Sequence, residues 1–508
     1  MSIKVRYAAI VNYSSKIIHL VISVGFIVIV TRKLLPEEFG LWGIILALTT
    51  VISIPMDIWH FWMQRYHARR CEKSLSTALT LNLLYLIVAT FIYFALSYLY
   101  ARLLGWGWEF FLLGYVQVPV TIIYRFLYNI ALIDKPELTG YASFIFDVLR
   151  LMWAYMLVVI FKLKLYGAIL TVILSLLFVS TFLWFMLRAS GVKYEFLGFN
   201  RDLARVWFKG SHIPCIGISN TMLYNCDRLI VGGLVGEVPT AYLNAVYVSR
   251  STIQAGAGAF TAGLYAKLLR ERSPRDIEDI LRLALLIGLF MSSTFIVLAK
   301  PILSFLNPVY TTATFLFMLI VCESFLNILT TIFSTTAVGC ESVDIKPDVS
   351  FRDLVRSYLF KVPFTRLVAY LMVLAFGAII LYNLKLNGVD DPVTYASVYA
   401  ILWTMVSPVL LLIMYRYAKS MLRFKFPWRD AIAYMVASLV CVAYYILNGV
   451  HNIIVAMFMR DAPILGFHVI VGGLIYLGVS WLLSPWLRWF LKMGIEYVKA
   501  RASMLIPV

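Results

Sequence analysis

Apolar residues run through this chain in stretches of about twenty, separated by short polar connections. A run of that length matches a helix crossing a bilayer, because about 20 residues at 1.5 Å each span the hydrocarbon core. A transmembrane barrel would show ten-residue alternation instead. The pattern predicts fourteen spans: 8–31, 41–63, 77–100, 109–132, 141–161, 166–187, 211–234, 239–263, 280–303, 310–337, 361–383, 393–415, 430–450 and 464–487. The connections are short, and the longest is a little over twenty residues, so no soluble domain is inserted between spans. Lys4 and Arg6 precede an apolar run too long for a secretory signal segment, which marks the first span as a membrane helix.

Composition agrees. Of 508 residues 62% are hydrophobic and 14% charged, and the mean hydropathy is +0.86. Soluble domains carry about a quarter charged residues. The net charge of +18 raises nucleic acid as a partner, but the basic residues are spread over connections between spans, and the positive-inside rule accounts for them. With the N-terminus in the cytoplasm, inside connections hold 30 Lys and Arg and outside ones 8. This predicts a multi-pass protein of the cell membrane with both termini cytoplasmic. Six dispersed cysteines without a CxxC pair argue against a metal site or a disulfide framework.

Two internal matches point to a repeat. "LLPEEFGLW" from Leu34 parallels "LVGEVPTAYLN" from Leu234, with Glu37 against Glu237 and Trp42 against Tyr242. "IDKPELTG" near 133 parallels "DIKPDVSF" near 344. Six spans separate the partners, so the halves run parallel, as in transporters that bind substrate between two bundles. The segment "RDLARVWFKG" reads as an amphipathic helix on the cytoplasmic surface. The expected organisation is a six-helix lobe at 1–188, a linker at 189–210, a second six-helix lobe at 211–418, and two further helices with a basic tail at 419–508.

"VTRKLLPEEFGLWGIILAL", "RDLARVWFKGSHIP" and "DRLIVGGLVGEVPTAYLNAVYVSR" resemble stretches of the polysaccharide-export flippases of the multidrug/oligosaccharidyl-lipid/polysaccharide (MOP) superfamily. The resemblance extends loosely over about the first 420 residues. It implies an all-α, polytopic fold of about fourteen transmembrane helices, with two six-helix lobes in a V-shaped arrangement plus two C-terminal helices. It implies a monomer that moves a polyprenyl-(pyro)phosphate-linked oligosaccharide across the membrane without covalent chemistry. Its partners would be the lipid-linked glycan and membrane lipids, with Na⁺ or H⁺ as a coupling ion. The alternatives are a drug or metabolite exporter on the same scaffold, a membrane enzyme of glycan assembly, and a non-transporting scaffold. The short outer connections speak against the enzyme.

Six basic residues fall within spans or close to their ends: Lys16, Arg125, Arg150, Arg228, Arg250 and Arg366. The acidic residues so placed are Asp57, Asp147, Asp227 and Glu323. A charge facing lipid costs about 2.5–3.5 kcal/mol on insertion scales, so these groups should face the protein interior or reach an interface. The excess of basic residues suits an anion better than a cation, and arginine offers a planar fork of donors to phosphate. The six basic residues are therefore the candidate phosphate contacts. The four acids are candidates for ion coupling or helix pairing, and the three-residue spacing of Asp147 and Arg150 predicts a pair on one helix face. His60 is expected to be a packing or interfacial residue.

Overall fold

Each predicted span that the structure describes is helical, and no strand occurs among the described residues. The structure is a computed structural model that describes residues 22–191, 198–268, 272–341, 343, 351–493 and 496. Most of the first predicted span, and the second copy of the KP-containing repeat, lie outside the described residues. Helix α1 covers 22–33. Five long helices follow: α2 (Pro36–Ala68), α3 (Ser74–Leu104), α4 (Trp108–Asp134), α5 (Pro136–Ile160) and α6 (Lys164–Ala189). Then come the short α7 (Arg201–Lys209), α8 (His212–Leu223), α9 (Cys226–Val235) and the long α10 (Glu237–Leu268). The rest comprises α11 (Pro274–Val297), α12 (Ala299–Leu306), α13 (Pro308–Gly339), α14 (Phe351–Arg356), α15 (Tyr358–Leu386), α16 (Pro392–Met421), α17 (Trp428–Leu447) and α18 (Phe458–Leu483). Among the described residues eleven helices are long and apolar enough to cross a membrane.

The chain divides into two compact units. One comprises residues 1–245 and 363–402, the other 246–362 and 403–508. In the first unit α2 is the central element: 83% of its most apolar stretch is buried, against 22% for α3. Its start is well specified. Pro36 occupies the first turn, where a missing N–H costs nothing, and the Glu38 carboxylate accepts the Leu35 N–H at 2.9 Å. Glycines then let other backbone approach. A Cβ on Gly40 would sit 1.9 Å from the Glu237 carbonyl oxygen, and one on Gly232 would sit 2.5 Å from Ile44 Cδ1.

The seventh predicted span, expected to run unbroken over 211–234, is two helices. The polar sequence Tyr224–Asn225 ends α8, and α9 starts at Cys226. The Asn225 amide turns back to donate to the Thr221 carbonyl at 2.8 Å. Asp227, fully buried, lies in the first turn of the new helix, where its Oδ1 accepts the Arg228 N–H at 2.8 Å. A carboxylate is favoured there because unpaired N–H groups point out of a helix start. Gly236, at φ +110°, ends α9 in a conformation that only glycine adopts readily. Tyr100 then ties α3 to α9 by donating to the Leu229 carbonyl at 2.7 Å.

In the second unit the last two helices are fastened to α11. Arg282 donates to Asp430 (3.0 Å) and Asp279 (2.7 Å). Ser484 bonds Asp430 at 2.6 Å, the Trp486 indole donates to Asp279 at 2.9 Å, and Tyr476 donates to the Leu286 carbonyl at 2.6 Å. Outside the spans, α7 is amphipathic as read from its sequence. The Asn200 side chain caps it by accepting the N–H groups of Asp202 and Leu203, and Trp207 is buried while Val206 and Phe208 are half-exposed.

The Gly40 contact leaves no room for a methyl group. Gly40→Ala is expected to destabilise the protein by about 1–3 kcal/mol, the usual cost of overpacking, seen as a lowered melting temperature in detergent. Gly478 stands in the open on α18, where an added methyl would meet nothing within 4 Å. It is the control: Gly478→Ala should leave melting unchanged or raise it.

Candidate functional site

A proline breaks α2 at the level where its charge appears. The helix tightens to a 3-10 turn over Ile54–Met56, and the Asp57 N–H donates to the Ile54 carbonyl. The Ser53 carbonyl, which a regular helix would pair with Asp57, accepts instead from Arg125 Nη1 of α4 at 3.4 Å. The same nitrogen meets the Asp57 carboxylate at 3.0 Å. Both side chains are about one-third exposed, because they line a cavity of about 660 Å³. Tyr124, Tyr128 and Asn129 of α4, His60 and Gln64 of α2, and the Pro214, Gly217 and Ile218 face of α8 complete its wall. All belong to the first unit.

Behind the ion pair a hydrogen-bonded chain runs in one direction. Gln64 Nε2 donates to Asn129 Oδ1 at 2.5 Å, and Asn129 Nδ2 to His60 Nδ1 at 3.1 Å. An amide nitrogen only donates, so His60 Nδ1 accepts and its ring proton belongs on Nε2. That nitrogen stands 3.1 Å from Asn82 Oδ1 on α3, which also accepts from the Trp59 indole at 2.7 Å. His60 Nδ1 is 3.8 Å from Asp57. His60, expected to be a packing or interfacial residue, is buried, and its hydrogen bonds to Asn129 and Asn82 tie α4 to α3 behind the ion pair. Its spacing from Asp57, one helical turn, was the available signal; its partners Asn82 and Asn129 lie 22 and 69 residues away.

The other charged candidates are distributed elsewhere. Arg150 and Asp147 pair on one face of α5 at 3.1 Å, and Arg150 also donates to Ser23 at 2.8 Å and stacks 4.5 Å from the centre of the Phe26 ring. Arg250 and Glu323 form an ion pair at 2.9 Å in the second unit, with side chains only 5% and 3% exposed. Tyr247 and Trp403 cover the guanidinium with ring centres 4.4 and 5.4 Å away. Arg228 and Arg366 are half-buried in the first unit. Arg366 stands on α15, which meets α8 where Asn220 donates to the Pro363 carbonyl at 2.8 Å and Tyr224 packs on Tyr370, and Arg228 stands on α9, which follows α8 in the chain. Lys16 lies outside the described residues. Asp57 and Arg125 are thus the candidates that the structure brings together at a cavity. The Asp147–Arg150 and Arg250–Glu323 pairs join charge to charge within their own units.

No protein-family model and no curated protein matches the sequence. Solved structures do share its fold. The lipid II flippase MurJ, in an inward closed conformation, superposes with a TM-score of 0.61 at 15% identity, covering 94% of this chain and 98% of MurJ. An inward-facing multidrug resistance MATE family transporter of the MOP superfamily gives 0.53 at 14% identity, over 81% and 97% of the two chains. A MOP superfamily transporter from Pyrococcus furiosus, described as having a binding pocket of reversed polarity, gives 0.51 at 13% identity, over 83% and 98%. At these identities the likeness is one of fold: the chain is a polytopic, all-helical membrane protein with the architecture of a flippase and of multidrug transporters.

Breaking a buried pair leaves one charge without its counterpart, whereas replacing both removes the burden. Arg250→Leu is expected to cost about 3–5 kcal/mol, and Arg250→Leu with Glu323→Leu is expected to recover most of it. Unfolding of purified single and double variants in detergent checks this. Equal losses in both would mean that the pair does not act as a unit.

Proposed function

We propose that this protein is a flippase that carries a polyprenyl-(pyro)phosphate-linked oligosaccharide from the cytoplasmic to the outer leaflet by alternating access. The observation that carries the reading is the cavity of about 660 Å³ with Asp57 and Arg125 on its wall, among helices long and apolar enough to cross a membrane. Such a space admits a hydrophilic headgroup. Arg125 meets the phosphate, with Arg228 and Arg366 as further basic groups of the same unit. Asp57, released from Arg125 by the arriving anion, takes up a proton or Na⁺. The likeness to MurJ supports the lipid-linked class. A match over 94% of 508 residues necessarily takes in part of the segment after Pro427. The distribution of Lys and Arg supports a cell-membrane protein with both termini inside.

A second reading is a drug or metabolite exporter on the same scaffold. It is favoured by Asp57, a carboxylate one-third exposed to the cavity and able to meet an organic cation. The two readings assign opposite partners to the ion pair. In proteoliposomes, a fluorescent polyprenyl-pyrophosphate oligosaccharide is followed by its access to an outside quencher. The wild type should move it, and Arg125→Ala should slow it about tenfold or more, the loss that goes with a charge-assisted hydrogen bond. Thermal melting shows whether the variant is folded. If the wild type leaves the lipid in place but exports an organic cation, and Asp57→Asn abolishes that export while Arg125→Ala does not, the exporter reading replaces the flippase.

A further inference from the structure

On the outside of the first unit, α3, α4 and α6 frame an apolar groove of about 550 Å³. Leu79 and Leu83 of α3, Ile123 of α4, and Leu177 and Trp184 of α6 form its walls. Leu83, Ile123 and Leu177 are 41–58% exposed, and on membrane-spanning helices such exposed apolar side chains meet lipid. The groove's polar residue of interest is Asn82, which lines it and is only 3% exposed. Its Oδ1 is occupied by Trp59 and His60, while its Nδ2 is buried with no hydrogen-bond partner.

An unsatisfied amide donor in hydrocarbon is costly. Depth decides what can satisfy it. Helix α3 has 31 residues, a length of about 46 Å at 1.5 Å per residue. Asn82 therefore stands about 11 Å from its middle, inside a hydrocarbon half-thickness of about 15 Å, and any tilt brings it nearer the centre. Bulk water is absent at that level. A single bound water needs two to four polar partners, and the groove's hydroxyls, Ser180 and Thr181, already donate to the Leu176 and Leu177 carbonyls of their own helix. The acceptor that is abundant just above this depth is the oxygen where a lipid's chain joins its glycerol.

We propose that this groove is a binding site for one bilayer glycerolipid. Its chain lies along Leu79, Leu83, Ile123 and Leu177, and a glycerol-level oxygen accepts the Nδ2–H of Asn82. Because Asn82 also ends the chain of hydrogen bonds that begins at Gln64, the bound lipid steadies His60 behind the polar cavity. The inference is independent of what the cavity transports.

The test uses the full-length protein in phosphatidylcholine vesicles doped with a phosphatidylcholine that carries a photoactivatable acyl chain. Cross-linked peptides are mapped by mass spectrometry. Peptides covering 75–86, 119–127 and 177–184 should label about fivefold above α18, which is only 17% buried and samples bulk lipid. Asn82→Leu should lower that excess about fivefold, the equivalent of about 1 kcal/mol for one hydrogen bond. Ile123→Trp fills the groove without touching Asn82, and should bring labelling down to the α18 level with melting unchanged. It decides the matter if Asn82→Leu does not fold. Labelling of the groove no higher than α18, or unchanged in Ile123→Trp, overturns the site. Full labelling in a folded Asn82→Leu overturns the hydrogen bond to the lipid.

Discussion

A charge within a hydrocarbon layer is held in place by the group that meets it, and this constraint organises the molecule. Hydrophobic burial does little to bring helices together in lipid, because lipid tails are as apolar as leucine. Polar contacts and close backbone approach do that work instead. Asp147–Arg150 fixes α5 against α1 through Ser23, and Arg250–Glu323 joins α10 to α13. Arg282 holds α17 to α11 through Asp430. Where no charge is available, glycine serves, as at Gly40 against Glu237 and Gly472 beneath the Tyr445 ring. Asp57–Arg125 differs from the buried pairs because its groups remain partly exposed to a cavity. The buried pairs have the protein as their environment, whereas this one has space for something else.

The two partners of the exposed pair are kept apart from the apolar core by the break at Pro55. A straight α2 would pair Ser53 with Asp57 and leave Arg125 one acceptor fewer. The 3-10 turn supplies that acceptor and sets the carboxylate at the cavity wall. The amides of Asn129 and Asn82 then occupy the two nitrogens of His60, and Gln64 in turn donates to Asn129. The site is therefore assembled from α2, α3, α4 and α8 around one irregularity.

Much of the fold was legible in the sequence, because hydropathy over twenty residues is a local signal. The helices α2–α6, α13 and α15–α18 coincide with predicted spans to within six residues, whereas the ninth span, read as 280–303, is broken at Leu298 between α11 and α12. Asp147–Arg150 was legible for the same reason, since both lie on one helix three residues apart. Arg250–Glu323 and Asp57–Arg125 were legible only as isolated charges that needed partners. Their partners lie 73 and 68 residues away, and hydrophobic periodicity carries no information about which helix packs against which. The break in the seventh span was visible as the polar run Tyr224–Asp227, but a hydropathy window averages it away. The hydrogen-bonded role of His60 was hidden because its partners are neutral amides on other helices, with no charge pattern to mark them.

The account rests on the cavity being wet and on the transported headgroup entering it, and a single labelled position reports both. Ile218 faces the cavity from α8 without joining the hydrogen-bonded chain. In a background with the six native cysteines replaced, Ile218→Cys in membranes should react with a small hydrophilic maleimide, and a polyprenyl-pyrophosphate oligosaccharide should slow that reaction. A thiol that does not react, or one whose rate the lipid-linked oligosaccharide leaves unchanged, would contradict a translocation site at Asp57 and Arg125.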